Sequence, residues 1–89
     1  MTERIPRRAP GYRLEQLDDE LLLYHPGTTT ALYLNQTATL IWQLCDGQRS
    51  DREIVQLVVE AFPEAGESIA PDVESTLRRL ARERAIDFT

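Results

Sequence analysis

The sequence contains no lysine, one cysteine, one histidine and no long apolar segment. A single cysteine excludes an internal disulfide, and no pair of cysteines or histidines is available at the spacing of a zinc site. The four glycines are too far apart to form a glycine-rich phosphate loop. No apolar run approaches the roughly 20 residues that span a bilayer, and the N-terminus lacks the apolar core of a signal peptide. We therefore expect a cytoplasmic protein that carries no metal or other cofactor and does not bind a membrane.

His25 and Cys45 are the residues whose side chains would be considered first for catalysis. His25 stands beside Pro26 at a predicted strand end, with no serine or acid fixed near it by the sequence. Cys45 lies on the apolar face of a predicted helix, where a buried small side chain is the expected role. The sequence therefore predicts that the protein is not an enzyme.

The 89 residues suffice for one domain, and all ten basic residues are arginine. Charge is unevenly distributed: residues 1–13 carry a net +3, residues 14–76 a net −10 and residues 77–89 a net +2. Residues 1–11 lack periodicity and include two prolines, which indicates a flexible basic arm. Residues 12–89 are then the single folded domain, with order beginning near Tyr12.

Capping signals predict three helices in the C-terminal two thirds of the chain. Asn35 is a candidate N-cap for an apolar first helix that Gly47 would end. Ser50 and Glu53 form the S-x-x-E pattern of a capping box for a second helix, which Pro63 would close. A loop through Gly66 leads to a third helix with Pro71 at its first position. On that helix, one face carries Ile69, Val73, Leu77 and Leu80.

Alternating residues before these helices predict three short strands. The first runs from Tyr12 to Leu17, the second from Leu21 to His25 and the third from Ala31 to Leu34. Turns are expected at Asp18-Asp19 and at Pro26-Gly27, and Ile86 to Phe88 is a further short extended segment. The predicted fold class is α+β: a three-stranded antiparallel meander followed by a three-helix bundle, in a winged-helix-like arrangement.

Winged helices commonly bind DNA, so a DNA-binding regulator is the alternative function. The acidic centre of the chain would repel phosphates. The candidate recognition helix also carries Asp72 and Glu74 at the end that would face the bases. Nucleic acid is therefore a poor candidate partner, although Arg78, Arg79 and Arg82 form a basic cluster whose replacement would test it.

An interaction module remains, and an edge strand supplies a way for it to bind. If the third strand lies at the edge of the sheet, an extended peptide can pair with its free amides and carbonyls. The third helix would form the other wall of the groove. The candidate peptide-binding residues are Ala31, Leu32, Tyr33, Leu34, Val73, Thr76, Leu77 and Leu80. For Val73, Leu77 and Leu80 a role in the core is an open alternative, and the same edge can pair with a second copy to form a homodimer.

The segment LNQTATLIWQLCDG, from Leu34 to Gly47, resembles the PqqD family, small proteins named for biosynthesis of the redox cofactor pyrroloquinoline quinone (PQQ). RSDREI, from Arg49 to Ile54, resembles the family's entry to its second helix. Asp72, Val73, Leu77 and Leu80 are similar to its third helix, and the resemblance extends from about Tyr12 to Phe88.

This resemblance implies a winged-helix-like fold and a specific kind of partner. Members of the family, known as RiPP recognition elements, bind the leader of a ribosomally made precursor peptide and present it to a modifying enzyme. In the PQQ pathway that enzyme is a radical S-adenosylmethionine (SAM) protein, which supplies the iron-sulfur chemistry; similar domains serve other pathways, including those of lasso peptides. The family usually has a large apolar residue where this chain has Thr76 and a glycine where it has Arg84, so a differently shaped groove and a different helix end are expected here.

Overall fold

Antiparallel strands and three helices make up most of the computed structural model, which describes residues 4–18 and 20–88. The predicted turn at Asp18-Asp19 includes Asp19, and the predicted arm includes residues 1–3; these lie outside the described residues. In chain order the elements are β1 (Pro6–Arg8), β2 (Arg13–Leu17), β3 (Glu20–His25), β4 (Thr30–Leu34), α1 (Gln36–Leu44), α2 (Asp51–Ala61), a 3₁₀ helix (Pro63–Ser68), α3 (Ile69–Arg82) and β5 (Ile86–Phe88).

The predicted meander is confirmed as an antiparallel sheet in the order β2-β3-β4. Leu23 lies between Leu14 of β2 and Leu32 of β4, and these three side chains share the face that the helices cover. Leu23 and Leu32 are buried there, whereas every residue of β2 is exposed because β2 lies beyond the helices. The helix-covered side of β3 and β4 therefore forms one wall of the core.

α1 begins where the sequence predicts but ends earlier. The Asn35 side chain accepts a hydrogen bond from the Ala38 amide at 2.8 Å, as expected of an N-cap. The helix stops at Leu44 with Cys45 as its C-cap, so the prediction that Gly47 ends it is wrong. Gly47 adopts a positive φ of 79° in the linker to α2, where its amide donates to the Pro6 carbonyl at 3.0 Å.

α2 and α3 complete the predicted bundle. The capping box at the start of α2 is present in both directions, with Ser50 accepting from the Glu53 amide and Glu53 accepting from the Ser50 amide. The predicted loop through Gly66 consists of two 3₁₀ turns that meet at a kink, where Gly66 adopts a non-helical conformation with φ of 59°, and it leads directly into α3. The three helices pack against one another and against the sheet. Their contact buries the core residues Leu23, Leu32, Leu34, Ala38, Ile41, Trp42, Cys45, Ile54, Val58, Ile69, Val73, Leu77, Leu80, Ala85 and Ile86.

The prediction of a flexible arm over residues 1–11 is not met by the described part of that segment. Pro6–Arg8 forms β1, which pairs with β5, and Pro6 is fully buried. On its other side β1 meets the α1–α2 linker, because the Arg8 amide donates to the Cys45 carbonyl at 2.9 Å. Residues 1–11 contain two prolines and β1 is only three residues long, so periodicity in the sequence does not predict this strand. Residues distant in sequence hold it in place.

Arg4 attaches the start of this segment to three other elements. Its guanidinium lies 4.3 Å from the centre of the Phe88 ring in β5. It also forms an ion pair with Glu74 of α3 at 3.3 Å and a longer one with Asp51 of α2 at 4.0 Å. The Asp51 amide donates to the Arg4 carbonyl at 2.8 Å. The described residues from Arg4 onward are therefore part of the folded domain.

α3 ends in a Schellman motif formed without glycine. Arg84 takes a left-handed conformation with φ of 63°. Its amide donates to the Ala81 carbonyl at 3.0 Å, and the Ala85 amide donates to the Leu80 carbonyl at 2.8 Å. The expectation that Arg84 gives a different helix end is therefore wrong, since the backbone adopts the usual geometry and tolerates the strain of a side chain there.

Candidate functional site

β4 forms a free margin of the three-stranded sheet. In the described residues it pairs with β3 on one side and with no strand on the other. The Tyr33 carbonyl accepts a hydrogen bond from Arg79 of α3, so it points away from β3. An antiparallel strand directs both main-chain groups of a residue to the same side and alternates sides along the chain. The amides and carbonyls of Ala31 and Tyr33 therefore face the open margin.

α3 runs beside this margin and supplies the second wall of a groove. The Arg79 Nη2 atom lies 3.1 Å from the Tyr33 carbonyl oxygen and bridges the helix to the strand. Residues spaced three and four apart share a helix flank, so Thr76 and Glu83 lie on the same flank as Arg79. Arg79 is not among the predicted site residues, although its position three residues after Thr76 would have placed it on the groove flank.

The predicted site residues fall into two groups. Ala31 and Tyr33 are exposed, with 59% of Tyr33 accessible to solvent, and Thr76 is half-buried on the α3 flank. The others lie in the core, beneath the groove, and these are Leu32, Leu34, Val73, Leu77 and Leu80. The buried position of Val73, Leu77 and Leu80 matches the role in the core that was the open alternative for these three residues. A peptide in the groove would contact the first group, while the second group fixes the separation of β4 and α3.

A small pocket of about 140 Å³ lies at the end of the groove, where β4 begins and α3 ends. It is lined in part by Tyr12, His25, Thr30, Glu83 and Arg84. The Tyr12 hydroxyl donates to the Glu83 carbonyl at 3.1 Å, and the Tyr12 and His25 rings meet edge to face. Burial, followed by the charge of Glu83, raises the pKa of Tyr12, so the phenol stays protonated at neutral pH. The pocket is large enough for one side chain.

A larger depression of about 650 Å³ lies between α1 and the strands β2 and β3, away from the β4 margin. Its lining includes Gln16 and Leu21 from the strands, Leu40 and Gln43 from α1, and Phe62. Leu40 and Phe62 also pack against the core, which indicates a structural role for their apolar surface. Among the described residues, the ionisable side chains of its lining are Asp18 and Glu20.

Cys45, which the sequence places on the apolar face of α1, lies in the core. Burial raises the pKa of the Cys45 thiol to about 12; the Arg8 charge opposes this shift and the Asp46 charge adds to it. The thiol is fully buried and donates to the Ile41 carbonyl at 3.1 Å. Across residues 4–18 and 20–88, no group of three or more histidine, cysteine and carboxylate side chains is placed to hold a metal ion. None of the helices in the same residues has the length and hydropathy to cross a bilayer.

Comparison with known proteins matches the chain to one family. Residues 20–86 match the family described as coenzyme PQQ synthesis protein D (PqqD). The chain is 35% identical over 81 residues to the PqqA binding protein of Rahnella aquatilis, an alignment that covers 88% of this chain and 81% of that protein. It is 34% identical over 79 residues to the PqqA binding protein of Klebsiella pneumoniae strain 342, covering 85% and 82%.

One solved structure shares the fold. It is TbiB1 in complex with the TbiA(beta) leader peptide, which superposes with a TM-score of 0.73 over 91% of this chain and 94% of TbiB1. The two sequences are 23% identical, so this likeness is evidence for the arrangement of strands and helices.

Proposed function

This chain belongs to the PqqD family, and from that premise we propose that it is a peptide chaperone that binds the leader of a ribosomally made precursor peptide. The observation that carries the proposal is the open margin of β4 beside α3. An extended peptide there becomes a fourth strand of the sheet. Two similar proteins named for binding PqqA, and a shared fold with a protein solved in complex with a leader peptide, support this class of ligand.

Affinity and selectivity would arise from different parts of the groove. The amides and carbonyls of Ala31 and Tyr33 pair with the peptide main chain, which contributes affinity with little dependence on sequence. Thr76 and the neighbouring α3 flank contact alternate side chains of the peptide. Because Thr76 is small and polar, the groove accepts a bulkier or more polar peptide side chain here than an apolar residue at that position would allow.

The chain would deliver the bound leader to an enzyme rather than modify it. We propose a peptide-modifying partner in the cytoplasm, with a radical SAM enzyme of the PQQ pathway as the first candidate because the two relatives are PqqA binding proteins. The redox chemistry then belongs to that enzyme. This division of roles fits the buried thiol of Cys45 and the small groove, which positions a strand but offers no reacting group.

The test is an NMR titration of ¹⁵N-labelled protein with two synthetic peptides, PqqA of Rahnella aquatilis and the short precursor encoded nearest to this gene. We expect one peptide to bind one protein and the amide shifts to concentrate on residues 31–35 and 73–84. Shifts centred on β2 and α1, or unchanged spectra with both peptides, would contradict the proposal.

A second copy of the chain is the competing occupant of the margin. Pairing of β4 with its own copy would produce a homodimer whose stability depends on the same main-chain groups. Light scattering after size-exclusion chromatography distinguishes the two. Leader binding predicts that any dimer dissociates as peptide is added, whereas a dimer that persists at saturating peptide must use another surface.

A further inference from the structure

Arg79 holds a positive charge at the margin and has no acidic partner within residues 4–18 and 20–88. Its guanidinium donates to the neutral carbonyl of Tyr33. The ion pairs found among residues 4–18 and 20–88 join Arg4 to Asp51, Arg4 to Glu74 and Arg49 to Asp46. A carbonyl satisfies one donor of the guanidinium but cancels none of its charge. Arg79 is exposed, so the rest of its planar fork faces the groove and solvent.

The charged side chains around Arg79 make the electrostatic potential vary along the groove. Arg78 and Arg82 lie on the solvent side of the same helix, are exposed, and belong to none of the ion pairs in the described residues. Asp72 and Glu83 lie on the groove flank, about two turns before and one turn after Arg79. The positive potential is therefore strongest at the level of Tyr33 and falls toward both ends of the groove.

A peptide strand beside β4 would bring its own side chains to this point. The peptide amide opposite Tyr33 needs the same carbonyl that Arg79 uses, which has a second lone pair for a shared bond. Side chains of a strand alternate between faces, so those on the α3 side come from the residues just before and just after the one opposite Tyr33. A guanidinium in this position prefers a carboxylate, which it can bind through two parallel hydrogen bonds.

We propose that Arg79 makes the groove selective for peptides with Asp or Glu at one of the two strand positions that flank the residue opposite Tyr33. The inference rests on the proposed strand addition, which supplies the register. It names the ligand class as an extended segment with a carboxylate at its centre. Lysine or arginine at the same position is disfavoured by repulsion from Arg79, Arg78 and Arg82.

The experiment is selection from a phage-displayed library of random peptides on the native protein, Arg79→Gln and Arg79→Glu. We expect Asp or Glu to be enriched at one fixed position with the native protein, no charge preference there with Arg79→Gln, and Lys or Arg there with Arg79→Glu. Arg78→Gln is the matched control, because it removes a charge from the same helix without removing the contact with β4, and should retain the acidic preference.

Calorimetry of a selected peptide and its Glu→Gln analogue measures the size of the effect. We expect the analogue to bind the native protein about five-fold more weakly, because it replaces a charge-assisted hydrogen bond by a neutral one, and the two peptides to bind Arg79→Gln equally. Identical selected residues for all three proteins would overturn the role of Arg79. Binding that also survives Tyr33→Pro would instead overturn strand addition itself, which separates the two failures.

Discussion

Two short strands of the domain, β1 and β4, differ in how many of their edges are hydrogen-bonded. β1 is three residues long, yet β5 pairs with it on one side and the linker from Cys45 to Gly47 bonds to it on the other. β4 is longer and lies over the centre of the core, but in the described residues it has a strand partner on one side only. Unpaired margins attract foreign strands, so a chain that closes one margin and leaves another open has a place for a partner.

The two regions are expected to affect different properties, folding stability for β1 and β5 and ligand binding for β4. The ribbon formed by β1 and β5 buries Pro6 and Ile86, and the Arg4 guanidinium contacts the Phe88 ring of β5, so changes there should act on folding. The Tyr33 side chain on β4 is mostly exposed, so it should contribute little to the stability of the free protein. Changes there should act on ligand binding. Mutations in each region therefore test whether the β1–β5 ribbon acts on folding and β4 acts on ligand binding.

The largest effect is expected from Ile86→Ala in the ribbon. Ile86 is 1% exposed, and removing its buried side chain leaves a cavity, so the free energy of unfolding should fall by about 3 kcal/mol. Urea denaturation followed by circular dichroism measures the change. Asp87→Ala is the control on the exposed face of the same strand and should alter stability by less than about 0.5 kcal/mol. Equal losses for both variants would show that the ribbon is not anchored through Ile86.

Tyr33→Pro should separate binding from stability in the other region. Proline removes the amide that faces the margin but leaves the pairing of β4 with β3, so peptide affinity should fall about ten-fold with little change in unfolding. Tyr33→Ala keeps the amide and is the matched control for loss of the ring. If the proline variant bound PqqA as tightly as the alanine variant, main-chain pairing at this margin would be excluded.

The smallest effect concerns Arg84, which lies between the two regions. Glycine relieves the left-handed strain at this position, so Arg84→Gly should stabilise the protein by about 1 kcal/mol. Thermal unfolding should show a rise of about 5 °C in Tm. Arg84→Ala retains the Cβ atom and should give no such rise. A gain for alanine equal to that for glycine would assign the effect to the charge or length of arginine instead.

Local sequence signals predicted the elements whose stabilising contacts are close in the chain. The Asn35 cap and the capping box of Ser50 and Glu53 each join residues three apart, and the structure contains both. Alternation likewise located β4, where Leu32 and Leu34 are buried between exposed neighbours, and an apolar run located β3. These signals, with the resemblance to the PqqD family, sufficed for the fold class and for the candidate edge strand.

Contacts between distant residues account for the predictions that were wrong. β1 depends on partners about 40 and 80 residues away, and no pattern within residues 1–11 records them. Gly47 has the sequence context of a helix end, but it lies in the α1–α2 linker, where its amide donates to the Pro6 carbonyl. For Leu77 and Leu80 the sequence left a role in the groove and a role in the core open, and packing buries both side chains. Arg79 lies three residues after Thr76, so helical spacing would have placed it on the groove flank, but its contact with Tyr33, 46 residues earlier, is visible only in the fold.

By itself, the sequence determined where α1 and α2 begin, which faces are apolar and that the chain carries few groups able to catalyse a reaction, because caps, periodicity and composition are properties of neighbouring residues. The start of α3 at Ile69, two residues before the predicted Pro71, was not determined in this way. Only the tertiary structure decided which strand margin the protein covers and which it leaves open. That choice depends on how the ends of the chain meet around the helices, and the hydrogen bonds that fix it join residues whose separation no local pattern encodes.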